Sequence, residues 1–309
     1  MQMKNSTIMH GAIRYDSRME VICIFTPTYN RAYTLSRLFE SLKAQTDSRF
    51  YWLIVDDGST DGTEQLVDSF LDSSPFRIEY IKQPNAGKQI AYNTGVDNCK
   101  SELFFCVDSD DTIPPDCVES ILTRWETCRN NSRLAGIIGL CGKDATTPLA
   151  NEMPAGCAST TMWDLYYKQH HRGDTALIHR TDVLKQFPFW VAPGEKFIAE
   201  TYVYHQIDQE YELAVLNKVL IIREYLEDGY TSNVRKITRD NPIGYMTLKR
   251  MYIGYSDTLY LKYCNSILYL VGCILSNTKH GIRHAPNPAI AALAYIPAKI
   301  LCLTEYRKR

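Results

Sequence analysis

Leu103–Pro115 reads LFFCVDSDDTIPP. Leu103 to Val107 are apolar and β-prone, which predicts a buried strand. The strand ends in Asp108, Ser109, Asp110 and Asp111, and Pro114 and Pro115 stop any continuation. Three carboxylates in four residues repel one another, so positive charge is needed at that strand end. A hard divalent cation supplies it, because Mg²⁺ and Mn²⁺ take oxygen ligands and are commonly shared with substrate phosphates. The plain alternative is a solvated turn whose Asp side chains cap local backbone groups.

Upstream of that stretch, strands and helices alternate. Val21 to Phe25 is a short apolar run, broken by Thr26-Pro27-Thr28-Tyr29-Asn30-Arg31. Leu35, Leu38, Phe39 and Leu42 then recur at i, i+3, i+4 and i+7, which predicts a helix with one buried face. Tyr51 to Val55 is a second strand, ending in Asp56-Asp57-Gly58-Ser59-Thr60-Asp61-Gly62, whose polar residues can cap a helix carrying Leu66, Val67, Phe70 and Leu71. Arg77 to Ile81 is a third, leading through Pro84-Asn85-Ala86-Gly87-Lys88 into a helix around Ile90 to Val96. Such alternation implies an α/β fold with a mostly parallel sheet covered on both faces. Ligands bind such sheets beyond the carboxyl ends of the strands. The polar breaks after Phe25, Val55 and Val107 all fall at that edge.

Composition sets the class. The chain has 309 residues, 45% hydrophobic and 22% charged, an ordinary globular mix. A formal charge of −1 gives no electrostatic case for nucleic acid as a partner. The ten cysteines are scattered, with no Cys-x-x-Cys pair, which fits reduced thiols rather than a disulfide framework or a zinc site. Residues 1–19 form a polar tail without the apolar core of a signal peptide, so the catalytic part is expected in the cytoplasm, at the inner face of the cell membrane.

VICIFTPTYNR, LIVDDGSTDGT, NAGKQIAYNTG and FCVDSDD, in that order and spacing, resemble family 2 glycosyltransferases of the GT-A (Rossmann-like) fold. The likeness is close over residues 20–116 and looser to about residue 230. It implies a nucleotide-sugar-binding half at 20–116, an acceptor-binding half at 117–233 and a C-terminal helical region at 234–309. It further implies that Pro27, Thr28 and Tyr29 lie against the nucleotide, that Asp57 reads the uracil edge with Asp56 as companion acid, and that Lys88 lies near the base and phosphates. Asp108 and Asp110 form the DXD pair, with Asp110 the direct ligand to Mn²⁺ or Mg²⁺ and Asp108 nearer the sugar or ribose. The chemistry is consistent: a carboxylate accepts the imide N–H of uracil, and a cation bridging two phosphates stabilises a departing diphosphate. The plain readings are that Asp56 only holds its loop, Lys88 is a solvated helix-start residue and Tyr29 is packing.

The second half should serve the acceptor. Val118, Ile121, Leu122 and Trp125 mark a helix, Gly136 to Cys141 a strand, and Ala145 to Gly156 a loop suited to covering a site. Gly173 to Arg180 resembles the strand that the family sets beside the donor sugar. Where the family carries Glu-Asp at a helix start, this chain has Glu200-Thr201, so Glu200 is the candidate catalytic base and the second acid is missing. Its plain reading is a helix-start Glu favoured by the dipole. Asp174, Glu195 and Asp228 are the fallback bases, and His205 is read as core or surface rather than a ligand.

The last eighty residues carry apolar runs at Leu259 to Leu275 and Ala289 to Leu303, the second interrupted by Pro297 and Lys299, and end in Arg307-Lys308-Arg309. Neither run is an unbroken span of the roughly twenty apolar residues a bilayer needs. Contact with an anionic membrane surface and packing on the catalytic core or a second subunit both fit. The chain lacks the Gln-x-x-Arg-Trp motif of the family's processive synthases, so a single sugar addition to a glycan or lipid-linked acceptor is expected, in cell-surface polysaccharide synthesis with a UDP-linked donor. The rivals are a non-catalytic nucleotide-sugar-binding scaffold, which Thr201 favours, and a sugar-phosphate nucleotidyltransferase, whose Gly-rich start is absent.

Overall fold

In the computed structural model, which describes residues 20–224 and 233–306, the first half runs β1 (Ile22–Thr28), α1 (Ala32–Lys43), β2 (Phe50–Asp56), α2 (Thr63–Ser73), β3 (Ile78–Lys82), α3 (Lys88–Asn98), β4 (Leu103–Cys106) and α4 (Cys117–Glu126). The chain continues through β5 (Leu134–Gly142), β6 (Ser159–Thr160), a π-helical turn at Asp164–Lys168, β7 (Thr175–Arg180), α5 (Thr181–Leu184), α6 (Thr201–Ile207) and β8 (Glu212–Ile222). Five helices follow: α7 (Val234–Asp240), α8 (Pro242–Tyr255), α9 (Leu259–Leu275), α10 (Gly281–His284) and α11 (Pro288–Glu305).

The strands form one sheet in the order β3-β2-β1-β4-β7-β5-β8-β6. All seven residues of β2 are buried, as expected of a parallel strand covered on both faces. On one face Trp52 stacks with Phe39 of α1 and Phe70 of α2, at centroid distances of 6.2 and 5.9 Å. On the other, Phe25 meets Tyr92 of α3 and Phe104. Gly95 allows that approach, since a Cβ there would lie 2.4 Å from the Phe25 ring.

β1, β2, β3 and β4 are mutually parallel, and β5 is parallel to β8. β7 is antiparallel to both β4 and β5, and β6 antiparallel to β8, so the sheet is mixed in its second half. The excursion between β5 and β7, which includes the expected irregular stretch at 145–156, returns to the end of the sheet where β5 stops, Leu140 pairing with Thr175. The β5–β7 contact requires glycine at 136: φ is +150°, and a Cβ would stand 1.9 Å from the Ile178 carbonyl oxygen.

β1 extends three residues past the expected end at Phe25, through Pro27 to Thr28. Proline is tolerated in this central strand because pairing with β4 ends at Phe25–Cys106. Pro27 points its missing N–H to that side, while Thr26 and Thr28 continue the ladder with β2.

The described residues fold as two compact units, one comprising 20–188 and 203–224, the other 189–202 and 233–306. The expected halves 20–116 and 117–233 of one GT-A domain contribute strands to one sheet, while 189–202 groups with the C-terminal helices. The second unit has its own core of Ile253, Tyr269, Leu270, Val271, Cys273, Ala285, Ala291, Ala294 and Ala298. Residues 189–202 are tied into it by Glu195, whose carboxylate accepts the Ile243 and Gly244 N–H groups, each at 2.7 Å, at the start of α8. By length and composition alone, α11 is long and apolar enough to cross a membrane, with 17% of it buried. All ten cysteines are free thiols.

Candidate active site

Three loops leave the sheet at the carboxyl ends of β1, β2 and β4. The first two are stitched together. Asn30, at φ +53°, donates its N–H to Ser59 Oγ at 2.8 Å and accepts the Thr60 N–H at 2.8 Å. Asp61 accepts from Ala32 at the start of α1 and from Thr63 at the start of α2. Held in this way, Pro27 and Thr28 are buried and Tyr29 is exposed. The Thr28 hydroxyl is buried without a hydrogen-bond partner, an orphaned polar atom in a loop expected to meet a ligand.

The paired aspartates face inward. Asp56 accepts the Ser59 N–H at 2.7 Å and the Tyr80 hydroxyl at 2.6 Å, so both its oxygens shape the loop. Asp57 accepts from Gln83, Asn85 and the N–H groups of Ala86 and Gly87, at 2.8–3.1 Å. Four bonds fill a carboxylate's usual acceptor positions, so a base reaching Asp57 must replace one of them. The same bonds fix the 83–87 loop, and Gly87 turns it into α3 at φ +98°.

Lys88, the first residue of α3, reaches Asp108 at 2.7 Å, joining the third and fourth sequence motifs. Asp108, Asp110 and Asp111 offer carboxylate oxygens that all lie within 4.8 Å of one another. Asp111, read from the sequence as the third carboxylate of the turn but not assigned as a ligand, is the most buried of the three. Thr112 exchanges two backbone hydrogen bonds with Ile222 at the end of β8, which draws the turn inward and sets Arg223 beside it. Arg223, not singled out from sequence, lies 3.8 Å from Asp111 and 3.4 Å from Asp174. Its only signal in the sequence is a basic residue directly after an apolar strand. Arg37 adds a hydrogen bond to the Asp110 carbonyl at 3.4 Å.

The electrostatics follow from this crowding. Burial raises Asp108, but Lys88 and Arg223 more than offset it and hold the carboxyl below the usual range. Burial and the neighbouring Asp108 push Asp110 up. Asp111 is pushed up to about 8 by burial and Asp108, against the pull of Arg223. Lys88 and Arg223 thus face the three aspartates, with Arg31 also acting on Asp110, and Arg223 is shared with Asp174. A divalent ion fits this donor set: all donors are hard oxygens, and their spread is close to twice a metal–oxygen bond of about 2.1 Å.

Glu200 directly precedes α6 and belongs to the second unit, as does Thr201, whose hydroxyl accepts the Tyr252 O–H at 2.7 Å. Of the fallback bases, Glu195 is committed to capping α8 and Asp174 to Arg223, while Asp228 lies outside the described residues. His205 is a core residue, buried with Nδ1 2.9 Å from Asp208.

Residues 23–186 match the sequence model described as "Glycosyl transferase family 2". "Glycosyltransferase GlyA" of Streptococcus pneumoniae is 37% identical over 100 residues, which is 32% of this chain and 14% of that protein. "Chondroitin synthase" of Escherichia coli is 36% identical over 108 residues, 35% of this chain and 16% of that protein. The chain therefore aligns with only a small part of these curated relatives. Among solved structures, S. aureus TarS 1–349 superposes with a TM-score of 0.57 at 16% identity, covering 93% of both chains, and the same fragment has been solved with UDP-GlcNAc. The mannosyltransferase PcManGT from Pyrobaculum calidifontis, in complex with GDP-Man and Mn²⁺, gives 0.55 at 16% identity, covering 93% of this chain and 82% of the other. These likenesses establish the GT-A type of fold. With the family match running from β1 past β7 and four motifs set around one sheet edge, the chain belongs to glycosyl transferase family 2.

Proposed function

We propose that this chain is a metal-dependent inverting glycosyltransferase. It moves a sugar from a nucleotide sugar, UDP-linked, to a hydroxyl of a glycan or lipid-linked acceptor in cell-surface polysaccharide synthesis. The observation that carries this reading is the cluster of Asp108, Asp110 and Asp111 at the sheet edge, with Lys88 on Asp108. Named polysaccharide synthases among the relatives, and UDP-GlcNAc and GDP-Man with Mn²⁺ in the fold neighbours, support it.

In this reading the three aspartates hold Mg²⁺ or Mn²⁺, which when bound supplies positive charge against the departing diphosphate. Lys88 and Arg223 hold the Asp108 carboxyl ionised, and a bound cation would offset the repulsion that raises Asp110 and Asp111. Pro27, Thr28 and Tyr29 take the nucleoside, the Thr28 hydroxyl gaining the partner it lacks, with Asp57 and the 83–87 loop beside the base. Glu200 removes the proton of the acceptor hydroxyl. The acceptor oxygen bonds to the anomeric carbon from the face opposite the diphosphate, and the old C–O bond breaks with its electron pair leaving on the diphosphate.

A panel of UDP-sugars with Mn²⁺, read as UDP release with and without glycan acceptors, tests this. Glu200→Gln should lower kcat about 100-fold or more while leaving donor KM near the wild-type value. Full turnover in Glu200→Gln would move the base elsewhere. No UDP release by the wild type with any donor would favour a binding scaffold.

A further inference from the structure

The chain is nearly neutral as a whole, but its charge is divided. Residues 234–309 contain twelve Lys and Arg against three Asp and Glu, whereas residues 1–233 contain 22 against 32. One of the three acids, Glu305, is paired with Arg235. Such asymmetry points to an anionic partner for the C-terminal segment.

Within this basic segment α11 is apolar on two opposite sides. Ala291, Ala294 and Ala298 are fully buried in the core of their unit. On the far side Leu293, Ile296, Ile300 and Leu303 are 74%, 62%, 56% and 69% exposed. Their spacing of three, four and three residues keeps them on one helical face. A helix side that meets water ordinarily carries polar residues, and a contiguous exposed apolar patch marks a contact surface. Here the small residues face the core and the large ones face outward.

We infer that α11 docks on an anionic lipid bilayer, lying in the interface with Leu293, Ile296, Ile300 and Leu303 among the acyl chains, the net positive charge of its segment drawing it to the headgroups. Charge complementarity selects this occupant. A second copy of the chain would bring the same basic segment against its twin across a two-fold contact, which is repulsive. The helix lies in the interface rather than crossing it, because Ala291, Ala294 and Ala298 are packed in the core of their unit and Lys299 sits in its second half, 4.9 Å from the centre of the Tyr295 ring.

Flotation of the full chain with vesicles tests the inference, comparing an equimolar phosphatidylglycerol–phosphatidylcholine mixture with phosphatidylcholine alone. About tenfold greater recovery with the anionic vesicles is expected, weakening as salt rises. The variant L293S/I296S/I300S should lose this binding while its circular dichroism and melting stay unchanged. Ile296→Trp, which keeps the face apolar, should show indole emission quenched by brominated phosphatidylglycerol. Equal or no recovery with the two vesicle types, full binding by the triple variant, or no quenching in Ile296→Trp would overturn it. Loss of self-association rather than of vesicle binding in the triple variant would assign the face to a second copy. Retention in membranes after alkaline carbonate would show a span instead of surface docking.

Discussion

Asp57 and Asp110 show two uses of a carboxylate at the edge of one sheet. Asp57 is saturated by the 83–87 loop, and its work is to hold that loop where Lys88 meets Asp108. Asp110 stays crowded by Asp108 and is raised by burial and repulsion, which a bound cation would relieve. Asp111 shares that state from a more buried position. Its substitution therefore has two effects of opposite sign. Asp111→Asn should raise the Mn²⁺ concentration needed for half-maximal donor turnover about tenfold or more, while leaving metal-free stability equal or higher because repulsion is relieved. Metal titrations of activity and melting curves in a chelator check both, and an unchanged Mn²⁺ dependence would remove Asp111 from the ligand set. Asp108, Asp110 and Lys88 were legible in the sequence because their motifs are local. Arg223 was not, since its meeting with Asp111 depends on the Thr112–Ile222 bridge, made across more than a hundred residues.

The elements from β1 to α4 were legible because period and punctuation agree there: apolar runs of strand length, then helical spacing, then polar turns. The direction of β7 was not, because it depends on the long excursion that precedes it. That direction has a consequence for stability. β7 carries His179 into the interior, stacked on Tyr204 with ring centroids 5.3 Å apart. Burial lowers the imidazole from 6.5 to about 4, so the folded protein holds it neutral. Between those values the unfolded chain binds the proton and the folded chain does not, so stability present above 6.5 is lost as pH falls through about 4. The loss amounts to about 3 kcal/mol. Denaturant unfolding at near-neutral and mildly acidic pH should therefore show a smaller acid penalty in His179→Phe, which keeps the stack, than in the wild type. Equal penalties would contradict a neutral buried imidazole.

At the scale of the whole molecule, the sequence motifs end near residue 116, and β5, β7 and β8 beyond them complete the same sheet. The segment 189–202 belongs with the C-terminal helices through a cap, Glu195 on α8, that joins residues nearly fifty positions apart and leaves no local pattern. What the order of motifs did convey was the convergence of three loops and a helix start on one edge, and the account of function rests on that convergence. Calorimetric titration of the full chain with UDP, with and without Mn²⁺, on the wild type and on Asp110→Ala, tests it most directly. The account predicts binding that requires Mn²⁺ and that Asp110→Ala abolishes. Binding of equal strength without metal, or binding that survives in Asp110→Ala, would contradict it.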